Sequence, residues 1–361
     1  MPSPVRPAVA GTSPRAASFA AIRLLDTDSG CDGRRSKRRN QYMMIRKLTG
    51  LMVTGAAASL VLALGACGDG GGGGAATGRG FEDCAESPNT CNTGDLEAGG
   101  EIVWALDQTP DGYFPWSPEG GSVYTLQATQ GILPYTGQFL PDGEYQQNLD
   151  LLAEEPQITN EDPVQTSWRI RDEAVWDGTT PITADDVIMT WMMSTREEDG
   201  HCTGCRPRAF EELIENIEAG DDGKSYTITY KDGVSDPEWF ASFASVHGII
   251  GGIAPAHVGI NEGFFSGTPD GWDPEGLGEY FEFLNDNPPE FSGGPYMIES
   301  FDIDTELVKV PNPAWYGAAQ PTLERQVIRF LTDESTWVPA LQNGELHGSS
   351  PAGWSGDVVR Q

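Results

Sequence analysis

The sharpest spacing of reactive side chains in this 361-residue sequence is Cys202-Thr203-Gly204-Cys205, with His201 directly before it. Two thiols at that spacing can form a disulfide or supply half of a metal site. Zinc takes four protein ligands, or three in a catalytic site, and no second pair follows at a recognisable spacing. A short-loop disulfide pinning a surface turn is therefore preferred over a metal pair. The adjacent carboxylates Asp185 and Asp186 suggest an acid–base pair. They follow Thr183 at a helix start, and neighbouring side chains on a helix diverge by about 100°. They read instead as first-turn acids, with Thr183 as the N-cap and Asp186 in the acidic place of a capping box. His201, His247, His257 and His347 have no obvious triad partners, and no nucleophile elbow, His-Glu-x-x-His pair or phosphate loop occurs. No catalytic residue, metal ligand or cofactor is assigned, and the chain reads as a binder rather than an enzyme.

Binding chemistry concentrates in Asp107-Gln108-Thr109-Pro110-Asp111-Gly112-Tyr113-Phe114-Pro115-Trp116. This loop leaves a buried strand, Glu101 to Leu106, and ligands of open sheets sit beyond strand carboxyl ends. Gln108, Tyr113, Phe114 and Trp116 are its candidate contacts. Trp272 is added as a flat aromatic suited, like Trp116, to stacking on a sugar ring. Core packing is an equal alternative for each aromatic.

Cys67 has a different chemistry. Arg46 and Lys47 precede an apolar run from Leu48 to Leu64, then small residues, then Cys67 and the tract Gly70 to Gly74. Basic, apolar, then small is the layout of an export signal, and the apolar part is shorter than a bilayer span. Leu64-Gly65-Ala66-Cys67 resembles the bacterial lipobox, which implies lipidation of Cys67. The glycines then form a flexible tether. Residues 1–42 are expected to reflect a mis-assigned start, with a long basic leader as the alternative. In an oxidising compartment Cys84 and Cys91, close together in a polar stretch, are expected to form one disulfide, and Cys202 and Cys205 another.

The chain holds 22 basic and 54 acidic residues, a net of −32. Ten of the basic and three of the acidic ones fall in residues 1–67, so the remainder holds 12 and 51, a net of −39. Such a body repels nucleic acid and anionic lipid surfaces. From Cys67 onward there are 295 residues, enough for one large domain or two smaller ones.

Alternation predicts strands at Gln165–Arg171 and Ser225–Tyr230; Glu101–Leu106 reads as a buried strand, Tyr296–Phe301 and Glu306–Val310 as a strand pair, and Gln326–Leu331 as another strand. Helices are predicted from Ser122 through Leu133, from Thr183, and around Ser335 to Leu341. The mixture lacks a βαβ rhythm, so α/β or α+β is indicated.

Three blocks carry a resemblance. They are Trp168-Arg169-Ile170-Arg171 followed by Val175-Trp176-Asp177-Gly178 and Thr183-Ala184-Asp185-Asp186-Val187; Ser292-Gly293-Gly294-Pro295-Tyr296; and Asn312 through Gly317, with Gly344-Glu345-Leu346 further on. In this order they resemble the family 5 extracellular solute-binding proteins, the oligopeptide and dipeptide receptors of ABC importers. The resemblance implies a periplasmic-binding-protein-like type II clamshell of mixed α/β class. It also implies capture of a small solute, a short peptide before an oligosaccharide or a metal chelate, and delivery to ABC permease subunits. A lipid-anchored receptor outside the cell membrane fits both readings. A secreted hydrolase or an adhesion module is the alternative of a different class. The expected organisation is a signal over 1–66, a tether over 67–98, lobe I over 99–325, and a hinge strand with the start of a truncated lobe II over 326–361.

Overall fold

The computed structural model describes residues 87–89, 98–115, 122–195, 212–244 and 252–350. Cys67, Cys84, Cys91, Trp116, His201, Cys202 and Cys205 lie outside the described residues. Among the described residues, two large sheets, a two-stranded sheet of β2 and β3, and five α-helices position everything that follows. The strands are β1 (Glu101–Leu106), β2 (Gly137–Phe139), β3 (Tyr145–Gln147), β4 (Gln157–Glu161), β5 (Val164–Arg169), β6 (Ile214–Ala219), β7 (Ser225–Tyr230), β8 (Tyr296–Asp302), β9 (Glu306–Pro311), β10 (Arg325–Phe330) and β11 (Gly348–Ser350). The helices are α1 (Val123–Thr129), α2 (Ala184–Thr195), α3 (Ala256–Glu262), α4 (Pro274–Asp286) and α5 (Trp337–Gln342).

The first sheet has the order β11-β1-β10-β9-β8. β1 runs parallel to β10, Glu101 opposite Arg325 through Leu106 opposite Phe330, and parallel to β11 on its other side. β9 and β8 continue the sheet antiparallel. Period-2 alternation sends Val103, Ala105, Val308 and Val327 to one face, where Trp337 of α5 and Leu346 seal them. Leu106, Leu307, Ile328 and Phe330 point to the other face, under Tyr124 and Ala128 of α1. Residues 325–350 supply a central strand, a covering helix and an edge strand of this sheet.

The second sheet, β4-β5-β7-β6, is antiparallel throughout. Trp168 and Tyr226 are cross-strand partners with rings stacked at 5.9 Å. The core here is larger, with α2 and α4 contributing Val187, Met189, Leu277 and Tyr280. Asp273 caps α4 by accepting from Glu275 N, Pro274 occupies the first turn, and Leu277, Tyr280, Phe281 and Leu284 make its buried stripe.

The helix predicted to reach Leu133 ends at Thr129, because Gly131 turns the chain at φ +86°. That turn lets two of the sequence blocks interlock. Gly293 N donates to Ile132 O and Tyr296 N to Gly131 O. Asn312 Nδ2 donates to Ser292 O and Gly294 O at 3.1 and 2.9 Å, and the Tyr316 hydroxyl donates to Gly293 O. A Cβ at Gly294 would strike the Gly131 carbonyl, so the glycine serves close backbone approach.

Candidate functional site

β1, β10 and β11 are parallel, so their carboxyl ends meet at one edge of the first sheet. The loop from Asp107 to Pro115 leaves from that edge. It is fastened at three points. The Thr125 hydroxyl of α1 donates to Gly112 O at 3.2 Å, and Tyr113 N donates to Asn285 O at 3.0 Å. Tyr113 also stands edge-on to Phe301, ring centroids 4.8 Å apart. A Cβ on Gly112 would collide with the Asn285 side chain, so the loop lies tightly on the end of α4.

The sequence-derived candidates divide at this point. Gln108 is exposed and Tyr113 half-buried at the edge. Phe114 is 1% exposed and packs edge-on against Phe281 of α4, because the fastened loop turns its ring inward. Trp272 is buried between Phe265 and its own turn, with Nε1 donating to Gly267 O. The structure therefore corrects Phe114 and Trp272 to core rings and leaves Gln108 and Tyr113 at least partly exposed along the loop. Two further residues belong to this edge and carried no sequence signal. Asp107 begins the loop. Burial, then the hydrogen bond and charge of Asp107, push the Tyr124 phenol above its ordinary pKa. Only the docking of α1 over β1 places these two side chains together.

Asp185 and Asp186 are not a catalytic pair. Asp186 is buried and accepts from Thr183 N at 2.7 Å, Ala256 N at 2.7 Å and Trp176 Nε1 at 3.2 Å. The expected capping bond is thus one arm of a structural node joining the Trp-Asp-Gly turn, α2 and α3. Burial raises the Asp186 carboxyl to about 6 against the opposing pull of those hydrogen bonds. Asp177 goes the other way, to about 2, because Thr180 N, Thr179 N and both hydroxyls donate to it. His347 is structural as well. Its Nδ1 accepts from Val103 N at 2.8 Å while its own N–H donates to Val103 O. The His257 imidazole lies beside Trp176, and burial lowers its pKa. No cluster of three or more His, Cys, Asp or Glu suited to a metal occurs among the described residues. No helix among them is long and apolar enough to cross a membrane.

What can this edge do? It presents an amide, a phenol rim and a carboxylate on a fastened backbone, which is equipment for holding a polar solute rather than transforming one. Comparisons with known proteins give the family and the fold. Residues 150–357 match the family described as bacterial extracellular solute-binding proteins, family 5 Middle. The oligopeptide-binding protein OppA of Mycobacterium tuberculosis is 24% identical over 266 residues, 70% of this chain and 38% of that one. Among solved structures, the periplasmic EDTA-binding protein EppA is 32% identical with a TM-score of 0.65, over 76% of this chain and 47% of that chain. The oligopeptide-binding protein AppA of Bacillus subtilis, in complex with a nonapeptide, is 15% identical with a TM-score of 0.55, over 70% and 44%. These neighbours have the type II periplasmic-binding-protein fold, and this chain shares it over less than half of their length.

Proposed function

Because this chain belongs to the family 5 bacterial extracellular solute-binding proteins, we propose that it captures short peptides for an ABC importer and hands them to the permease subunits. The observation that carries this is the fastened loop at the shared carboxyl ends of β1 and β10, with Gln108 and Tyr113 at its surface. A peptide offers backbone donors and acceptors that an amide and a phenol can match while side chains stay in wet space. Trp116, next along the loop, is included in the proposed contact set. The name of the OppA relative and the nonapeptide in AppA support the peptide class.

One observation favours a second reading. EppA, at 32% identity, is named for EDTA, so a metal chelate is the alternative solute. Isothermal titration calorimetry with di- to pentapeptides and with metal–EDTA complexes separates the two. Peptide heat without chelate heat is the expected result; the reverse assigns the chelate.

The proposal includes an anchor. Lipidation of Cys67, followed by the Gly70–Gly74 tether, would hold the receptor outside the membrane while letting it swing between solute and permease. Cys67→Ala is expected to move the protein from the membrane fraction to the medium. Unchanged retention with an uncleaved leader would replace the lipid anchor with a spanning one.

A further inference from the structure

Among the described residues two lysines are buried, and they are treated differently. Lys224 Nζ donates to three carbonyl oxygens, those of Arg171, Ala174 and Ile182, at 3.0, 3.2 and 2.7 Å. Its three N–H bonds are therefore used. Lys309 is only 2% exposed, yet among the described residues its ammonium has one partner, Gln130 O at 2.9 Å. Burial lowers its pKa to about 8, and among the described residues it forms no ion pair. Beside it lies a recess of about 410 Å³ between α1 and the first sheet. Trp104, Leu323 and Ile328 form apolar walls, and Gln127 and Gln326 are on its lining. Gln127 Oε1 is buried there without a hydrogen-bond donor.

We propose that this recess is a binding site for a small organic carboxylate, held by the Lys309 ammonium and its two remaining N–H bonds. The volume is in the range of small-molecule sites. A carboxylate supplies one negative charge and short charge-assisted hydrogen bonds to the ammonium. A dianion such as phosphate would leave a charge uncompensated against the apolar walls. The rest of the ligand is a short aliphatic body against Trp104 and Leu323. A hydroxyl or amino group next to the carboxylate meets Gln127 Oε1, the acceptor that otherwise lacks a donor. The site is separate from the strand-end loop, so the outcome of peptide binding there does not decide it.

Gln326 stands directly opposite Lys309 in the β10–β9 ladder, which supplies the test. Gln326→Glu puts a carboxylate on the face that Lys309 shares, within reach of its ammonium. Ligand-observed NMR and calorimetry on the full chain would use 4-methylpentanoate, its 2-hydroxy derivative and the neutral 4-methylpentanol. The acid should bind saturably and at least about tenfold more tightly than the alcohol, with the 2-hydroxy acid tighter still. Gln326→Glu should raise the melting temperature and weaken the acid by about tenfold or more. Lys309→Met, which removes the ammonium and its N–H donors while keeping an unbranched side chain, should weaken it equally. The proposal is overturned if the wild type shows no saturable binding, as when another segment fills the recess, or if acid and alcohol bind alike. Unchanged binding in both variants also overturns it.

Discussion

The two lysines buried among the described residues, one beside each large sheet, are treated in opposite ways. Around the second sheet, Lys224 has three carbonyl partners and Asp186 accepts from Thr183, Ala256 and Trp176. Around the first, Lys309 has one partner, Gln127 Oε1 has none, and an open recess adjoins them. A polar group whose hydrogen bonds are complete specifies packing; one left incomplete beside space is available for a ligand. By that contrast Lys224 and Asp186 hold the second sheet to its helices, and Lys309 is the group placed to meet a ligand.

The largest expected effect comes from cutting the node. Asp186→Ala strands three buried donors and should cost about 3–5 kcal/mol in chemical denaturation. A loss below about 1 kcal/mol would remove the node from the account of stability. Lys224→Met comes next, at about 2–3 kcal/mol, since three carbonyls lose their donor. Lys309→Met should lie within about 1 kcal/mol of wild type or be more stable, because an apolar group replaces a poorly paired buried charge. Equal losses in the two lysine variants would break the comparison outright.

A smaller effect is in the pH dependence. The folded-state pKa of Asp186 is raised from 3.8 to about 6, so the native state keeps a proton that the unfolded chain has released. This group's contribution to stability therefore falls as pH rises from about 4 to about 6. Asp186→Asn should remove that slope while the more acidic transition, set by groups such as Asp177, remains. Melting curves of both proteins across this window decide it; parallel curves would mean that Asp186 titrates normally. Smallest of all, Gly112→Ala should cost about 1 kcal/mol, since Asn285 can move its amide away, but it should loosen the loop and weaken solute capture.

The first sheet was more legible in the sequence than the site it carries. β1, β8, β9 and β10 are short runs rich in apolar and β-branched residues, and each formed within a residue of its predicted bounds. β6 escaped because a bulge between Ile214 and Asn216 breaks the period of two, and β4 because all its residues are exposed. β11 is three residues that exist only through pairing with β1. Asp186 accepting from Thr183 N is the local bond read from the sequence, but the Thr183 hydroxyl donates to Asp186 instead of capping the helix, and the bonds from Trp176 and Ala256 are tertiary. The site was half legible. A loop rich in aromatics signals contact, but which ring turns inward depends on α4, distant in sequence, which draws in Phe114 and leaves Tyr113 on Phe301. Lys309, in an alternating strand, gave no hint of burial, because its face is set by the register with Gln326.

Photocrosslinking bears most directly on the central claim that solute is held at the strand-end loop. A tri- or tetrapeptide bearing a photoreactive phenylalanine analogue would be irradiated with the full chain and the modified residues mapped by mass spectrometry. Modification is expected within residues 107–116, lost on competition with unlabelled peptide and reduced in Tyr113→Ala. Competable labelling confined to the second sheet, or to the Lys309 recess, would contradict the claim.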